Sequence, residues 1–276
     1  MIGRPALRST GRRATCLALS CLLVIGLASG VRAETLPASG GPVDPAILAD
    51  LVVANHILTE QGALDAFGHV SIRHPTRPDR FLMSRSLAPA LVTADDLIEY
   101  DLDGNPVDAR GRASFLERFI HAEIYRARPD VQAVIHSHAN AVIPFSVSTV
   151  RLRPVALVGA FLPQSVPVFD SRAMGGGMLI STPALGHALA QSLGSGSVAL
   201  MRGHGMAVAA PTLPLAVYFT IYTAIDAGLE AQAIALGGPV TFLDADEARD
   251  AGKVLDQIHL RAWDLWKRQS LAKTEK

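Results

Sequence analysis

Apolar residues recur at helical spacing from Pro45 to about Gly62, where Ile47, Leu48, Leu51, Val52, Ile57 and Leu58 form one stripe. Asp44 can cap this helix and Pro45 can occupy its first turn. The period then shortens to two. Gly68–Arg73 and Arg80–Ser84 read as strands, and Leu97–Asp101 alternates like a third before the turn Asp101-Leu102-Asp103-Gly104-Asn105. Thr93-Ala94-Asp95-Asp96 resembles a capping-box opening, but no helical pattern continues from it. A helix is predicted from about Ser114 to Ala127, stopped by Arg128-Pro129. Val131–Ser137, rich in Val and Ile, reads as a buried strand. Val166–Phe169, Val198–Met201 and Met206–Ala209 follow, the first confined to an edge by Pro167. Further helices are predicted at about 183–193, 213–236 and 246–268. Helices and strands alternate without a strict βαβ order or an internal repeat, which predicts a mixed sheet with helices on its faces, an α/β domain.

The ends depart from this pattern. Residues 1–13 carry Arg4, Arg8, Arg12 and Arg13 with no acid, an uncharged stretch runs from Ala14 to Val31, and Val31-Arg32-Ala33 closes it. That order is the one expected of a secretory signal peptide cleaved after Ala33, hence of an exported, periplasmic or secreted protein. Ser20, Gly26, Ser29 and Gly30 break the apolar stretch and argue against a permanent membrane span. The Arg12-Arg13 pair hints at twin-arginine export, but Ala14-Thr15-Cys16 after it is a poor match. Residues 34–43, rich in Pro, Ser and Gly, read as a linker, and residues 44–276 as a single domain.

Composition sharpens this division. The whole chain balances 25 Lys+Arg against 25 Asp+Glu, which argues against a nucleic-acid partner. Residues 1–33 hold five arginines and no acid, so the remainder has 20 basic and 25 acidic side chains, a net of −5. Both cysteines, Cys16 and Cys21, lie in the leader, so no disulfide or thiolate metal ligand is expected after cleavage.

The candidate chemistry lies with three histidines and a glutamate. His136 and His138 flank Ser137 on a predicted strand, and side chains two apart on a strand share a face. Two adjacent imidazoles can chelate a divalent metal. His204 sits between two glycines in Arg202-Gly203-His204-Gly205. A third ligand from such a loop would complete a three-histidine site with an open position. An isolated H-x-H is nonetheless more often incidental. Asn140 stands where a metallo-β-lactamase-type motif needs Asp, no Glu follows at cupin spacing, and H-E-x-x-H is absent. Glu117 lies among apolar Phe115, Leu116, Phe119 and Ile120, with His121 one turn later. An acid on a buried face is costly unless paired or bound to metal, but a solvated glutamate beside Arg118 is an equal reading.

In combination these segments resemble the class II aldolase/adducin family. The resemblance rests on Glu117-x-x-x-His121-x-x-x-Tyr125, Arg128-Pro129-Asp130-Val131, Ala133-Val134-Ile135-His136-x-His138, His204-Gly205 and Gly68-x-x-Ser71-x-Arg73, spread over roughly Pro45 to Leu236. It implies a three-layer α/β/α sandwich around a largely antiparallel sheet, and a homo-oligomer, often a tetramer. It implies one divalent metal per subunit on His136, His138 and His204, with Glu117 as acid/base and a possible fourth ligand. Zn2+ is the first expectation, with Mn2+ or another first-row metal as alternatives.

Departures from the sugar-phosphate members narrow the substrate. Phe115-Leu116 replaces their phosphate-binding Ser-Ser pair, His69 replaces an Asn, and Met83-Ser84-Arg85-Ser86 stands where they carry a Thr/Gly-rich phosphate segment. Arg85 can pair with a carboxylate, aided by Ser84 and Ser86. Asp65-Ala66-Phe67-Gly68-His69-Val70-Ser71, the Ser84–Ser86 segment, Leu116–His121 and Ile143-Pro144-Phe145-Ser146-Val147 look like the family's decarboxylase branch, whose members act on hydroxypyridine-dicarboxylates and related hydroxy-carboxy compounds. The expectation is a metal-dependent carbon–carbon lyase, a decarboxylase or aldolase of a small hydroxy-carboxylate. His69, Ser84, Arg85 and Ser86 would bind substrate, and Glu117 and His121 would serve catalysis. A sugar or sugar-phosphate aldolase or epimerase, and a non-catalytic adducin-like binding module, are the alternatives.

Overall fold

Seven strands, ordered β3-β2-β1-β4-β7-β6-β5, make one sheet, antiparallel throughout except for the parallel pair β5–β6. In chain order they are β1 (His69–His74), β2 (Arg77–Ser84), β3 (Leu97–Asp101), β4 (Ala133–Ser137), β5 (Val168–Phe169), β6 (Val198–Met201) and β7 (Gly205–Ala210). The helices are α1 (Pro45–Glu60), α2 (Arg118–Ala127), α3 (Ile143–Val147), α4 (Pro183–Leu193), α5 (Leu213–Ala235) and α6 (Ala245–Thr274). The structure is a computed structural model that describes residues 37–274, all within one compact unit. The signal peptide expected over residues 1–33 lies outside the described residues. No described helix is long and apolar enough to cross a membrane.

Strand alternation sorts the side chains into two cores. Val70, Ile72, Leu82, Ile135 and Val208 face α1, α5 and α6. Phe81, Met83, Val134, Ala207 and Ala209 face α2 and α4. This is the α/β/α sandwich expected, with the sheet as its middle layer. Trp263 and Trp266 on α6 are buried in the first core. Thr182 and Thr212 cap α4 and α5 through their hydroxyls, and Asp44 caps α1, each with Pro in the first turn.

The differences from expectation are local. The helix predicted from Ser114 begins only at Arg118, because Arg118 folds back to donate to the carbonyls of Phe115 and Gly104 and holds the preceding segment in a turn. The capping box at Thr93 forms as expected, but its 3-10 turn ends at Asp96, which also accepts a hydrogen bond from Arg85. The strand predicted at Val166–Phe169 shrinks to two residues at the sheet edge. Residues 37–43 have no regular secondary structure, as a linker would, yet Ser39 and Gly40 both donate to the Glu99 carboxylate and tie the segment to β3.

Candidate metal centre and active site

β4 and its two neighbours build the floor of the site. His136 pairs with His69 on β1 and with Ala207 on β7, so both rings rise on the α2 side of the sheet. His138 follows two residues later, just past the end of β4. His204 occupies the tight turn between β6 and β7. That turn needs its glycines: Gly203 has φ +64°, and at Gly205 a Cβ would strike the carbonyl of Ser137 on the adjacent strand. Glu117 projects down from the entrance of α2, where the helix dipole favours a negative charge.

These four side chains converge. His136 Nε2 and His138 Nε2 are 2.8 Å apart, and Glu117 Oε2 is 3.5 Å from both His136 Nε2 and His204 Nε2. The four ligand atoms lie within 4.8 Å of one another. Ligands about 2.0–2.1 Å from a tetrahedral zinc stand roughly 3.3–3.4 Å from each other, so the two 3.5 Å separations fit a single ion, while the 2.8 Å pair would open and the widest separation would close around it. His136 Nδ1 sits 3.1 Å from the Met206 carbonyl and donates to it, which leaves Nε2 as a lone pair facing the cluster. Burial, then repulsion from His136 and His204, lowers His138 to about 4, so its ring is neutral and can ligate. Burial opposes ionisation of Glu117, but whenever His136 and His204 carry protons toward it their hydrogen bonds and charge outweigh burial and hold the carboxyl well below its usual range. Its other oxygen, Oε1, accepts the backbone N–H of Ile180 at 2.8 Å.

A cavity of about 390 Å³ opens above the cluster. Glu117, His69, His138 and Ser86 supply its polar atoms, while Phe67, Leu87, Phe115, Leu116 and Leu179 supply apolar walls. Phe67 and Leu116 are each 64% exposed at the mouth, an arrangement that suits an apolar or ring-shaped ligand body.

The expected substrate-binding residues separate here. His69 and Ser86 line the cavity. Arg85, expected beside them, does not line the cavity and is held by Asp96 instead, with Nε 2.6 Å from Oδ1. Ser84 stands apart from them. It pairs with Leu97 and shares the α1 face of the sheet with Leu82, opposite the metal cluster, and its buried hydroxyl has no partner. The alternation of β2 turns it away, so it cannot assist Arg85 as expected. His121 is fully buried behind the site: its Nε2 lies 2.6 Å from His69 Nδ1 and its Nδ1 2.6 Å from Ser71 Oγ. Burial, then repulsion from His136, lowers it to about 3. It touches the cavity only through His69. Sequence reasoning missed the Ile180 N–H, because a backbone donor from a loop leaves no mark in residue type. His56, His74 and His259, which match no motif, bond to backbone carbonyls and belong to the fold.

Comparison with known proteins agrees with this geometry. The Class II Aldolase and Adducin N-terminal domain matches residues 49–227, and the chain belongs to that family. It is 38% identical over 239 residues to the decarboxylase tropJ of Talaromyces stipitatus, covering 78% of this chain and 90% of that protein. It is 32% identical to the 3,4-dihydroxyphthalate decarboxylase of Arthrobacter keyseri over 72% of this chain and 83% of the relative. Among solved structures, an aldolase II superfamily protein from Pseudomonas syringae superposes with a TM-score of 0.71 at 22% identity, covering 84% of this chain and 95% of that one, which supports the fold. The protein is accordingly a metal-dependent lyase of the decarboxylase or aldolase type.

Proposed function

We propose that this lyase decarboxylates a small hydroxy-carboxylate, and that a ring compound is its natural substrate. The observation that carries this reading is the cavity wall: Phe115 and Leu116 line it where a phosphate would need hydrogen-bond donors. His136, His138 and His204 would hold one divalent ion, with Glu117 beside it, and Zn2+ suits three imidazoles best while Mn2+ suits an added carboxylate. When bound, the ion would supply a Lewis acid that stabilises the electrons left by C–C cleavage. Glu117, ionised and with Oε1 anchored by Ile180, would take the proton of the substrate hydroxyl at Oε2 and return it to the carbon that loses CO2. His69 and Ser86 face the substrate from the cavity wall. Arg85 pairs with Asp96 and does not line the cavity, so a second carboxylate would fall to His69 and Ser86.

The reading includes export, supported by the basic leader and the apolar stretch before Ala33. It also includes a homo-oligomer, for which exposed Ile258, Leu265 and Leu271 on α6 supply apolar surface. Amino-terminal sequencing of protein recovered outside the cytoplasm and light scattering test these two points. The central test is a substrate screen of metal-loaded protein with hydroxy-carboxylates and sugar phosphates. Release of CO2 from a hydroxy-carboxylate is expected. Carbonyl products from a sugar or sugar phosphate, with no CO2 from any acid, would establish the aldolase alternative instead.

A further inference from the structure

A second polar system runs beneath the metal cluster and has no need of an ion. Tyr125 Oη lies 2.8 Å from Ser71 Oγ, Ser71 Oγ lies 2.6 Å from His121 Nδ1, and His121 Nε2 lies 2.6 Å from His69 Nδ1. Ser71, His121 and Tyr125 are shut away from solvent, and His69 ends the row at the cavity. Its ring centroid is 5.0 Å from that of His136, close enough to be mistaken for a fourth member of the imidazole cluster.

The direction of the hydrogens follows from the terminus. The buried Tyr125 hydroxyl has Ser71 Oγ as the acceptor within its reach, so its hydrogen goes to Ser71. The Ser71 hydrogen then has two acceptors, His121 Nδ1 at 2.6 Å and the Val134 carbonyl at 3.5 Å, and the short contact takes it. An imidazole that accepts at Nδ1 in its neutral form carries its hydrogen on Nε2, so His121 donates to His69 Nδ1. The same rule places the His69 hydrogen on Nε2, the nitrogen left for the cavity.

We infer that the row Tyr125–Ser71–His121 locks His69 as a neutral Nε2–H donor to substrate, and so keeps it out of the metal's ligand set. A nitrogen that carries a hydrogen has no lone pair for a cation, which separates His69 from His136, His138 and His204 despite their proximity. The bond it offers suits an anionic oxygen of the substrate. That last step rests on the carboxylate reading above, whereas the tautomer does not. Ser71, His121 and Tyr125 are thus positioning residues acting through His69. Arg73, from the same strand, supports them by donating to the carbonyls of Tyr125 and Arg128 at the end of α2.

The test is a two-bond 1H–15N correlation spectrum of the zinc-loaded full chain labelled at histidine, with the His69 signals assigned by their loss in His69→Gln. The expected pattern is a neutral Nε2–H ring at His69. A neutral Nδ1–H ring or an imidazolium there would overturn the inference. In Ser71→Ala the pattern should become mixed, with metal content unchanged and kcat/KM for the carboxylate substrate lowered about 10- to 100-fold. Tyr125→Phe, which removes one oxygen and keeps the ring packing, should move the same signals in the same direction by less. Wild-type spectra and kinetics in Ser71→Ala would also overturn it. If no carboxylate is turned over, the spectrum still decides the tautomer, so failure of the functional reading and failure of this one are separable.

Discussion

Two polar clusters share one face of the sheet and obey opposite rules. In the first, His136, His138, His204 and Glu117 aim acceptors at a common point, with nitrogens 2.8 Å apart and a carboxylate oxygen 3.5 Å from two of them. Facing lone pairs repel unless a cation or a proton stands between them, so this cluster is arranged to close around a positive charge. In the second, Tyr125, Ser71, His121 and His69 alternate donor and acceptor, and every bond along the row is satisfied without help. Histidine serves both, and what differs is whether its second nitrogen meets a donor or another acceptor.

Removing a member of the convergent cluster should have the largest effect. His204→Ala should lose stoichiometric metal by elemental analysis and lower kcat/KM by more than the roughly 100-fold upper figure for supporting partners. Full metal content and activity in that variant would undo the assignment. Glu117→Gln keeps the shape and the Ile180 contact but cannot shuttle a proton. Its kcat should fall by about 10²–10⁴ while most metal is retained, as read from single-turnover kinetics alongside metal analysis.

Acid should expose the second cluster. His121 is lowered from 6.5 to about 3 by burial first, then by His136, so the unfolded chain binds more protons than the folded one between those values. Stability from its neutral burial is therefore fully present above about pH 6.5 and lost as pH falls toward 3. Thermal melts of metal-free protein should be flat above that window and decline within it, with a shallower decline in His121→Gln. The smallest effect belongs to Ser84. Its hydroxyl is buried without a partner on the far face, so Ser84→Ala should leave KM unchanged and stability unchanged or slightly higher. A raised KM there would return it to the substrate site.

Much of this was legible from the chain alone. Because amphipathic patterns record which side faces the core, periodicity located all seven strands to within a few residues and every long helix, although α6 runs on to Thr274, past the predicted end at 268. Strand alternation also carried His136 and His138 onto one face. Boundaries set by side-chain to backbone bonds were less legible, as at Arg118, where a reach to Phe115 and Gly104 delays α2 and leaves Glu117 at its entrance instead of inside it.

By itself, then, the sequence determined the layering and which side chains are candidate ligands, since both depend on residue identity and local spacing, while the resemblance to the family marked Phe115-Leu116 as lacking phosphate donors. Only the tertiary structure decided how closely the candidate ligands approach, that His69 abuts His121, that Ser84 faces away while Ser86 faces the cavity, and that a loop N–H at Ile180 anchors Glu117. Those outcomes depend on the register between strands distant in the chain and on the direction of single bonds, where a shift of one residue or one hydrogen exchanges a metal ligand for a hydrogen-bond donor.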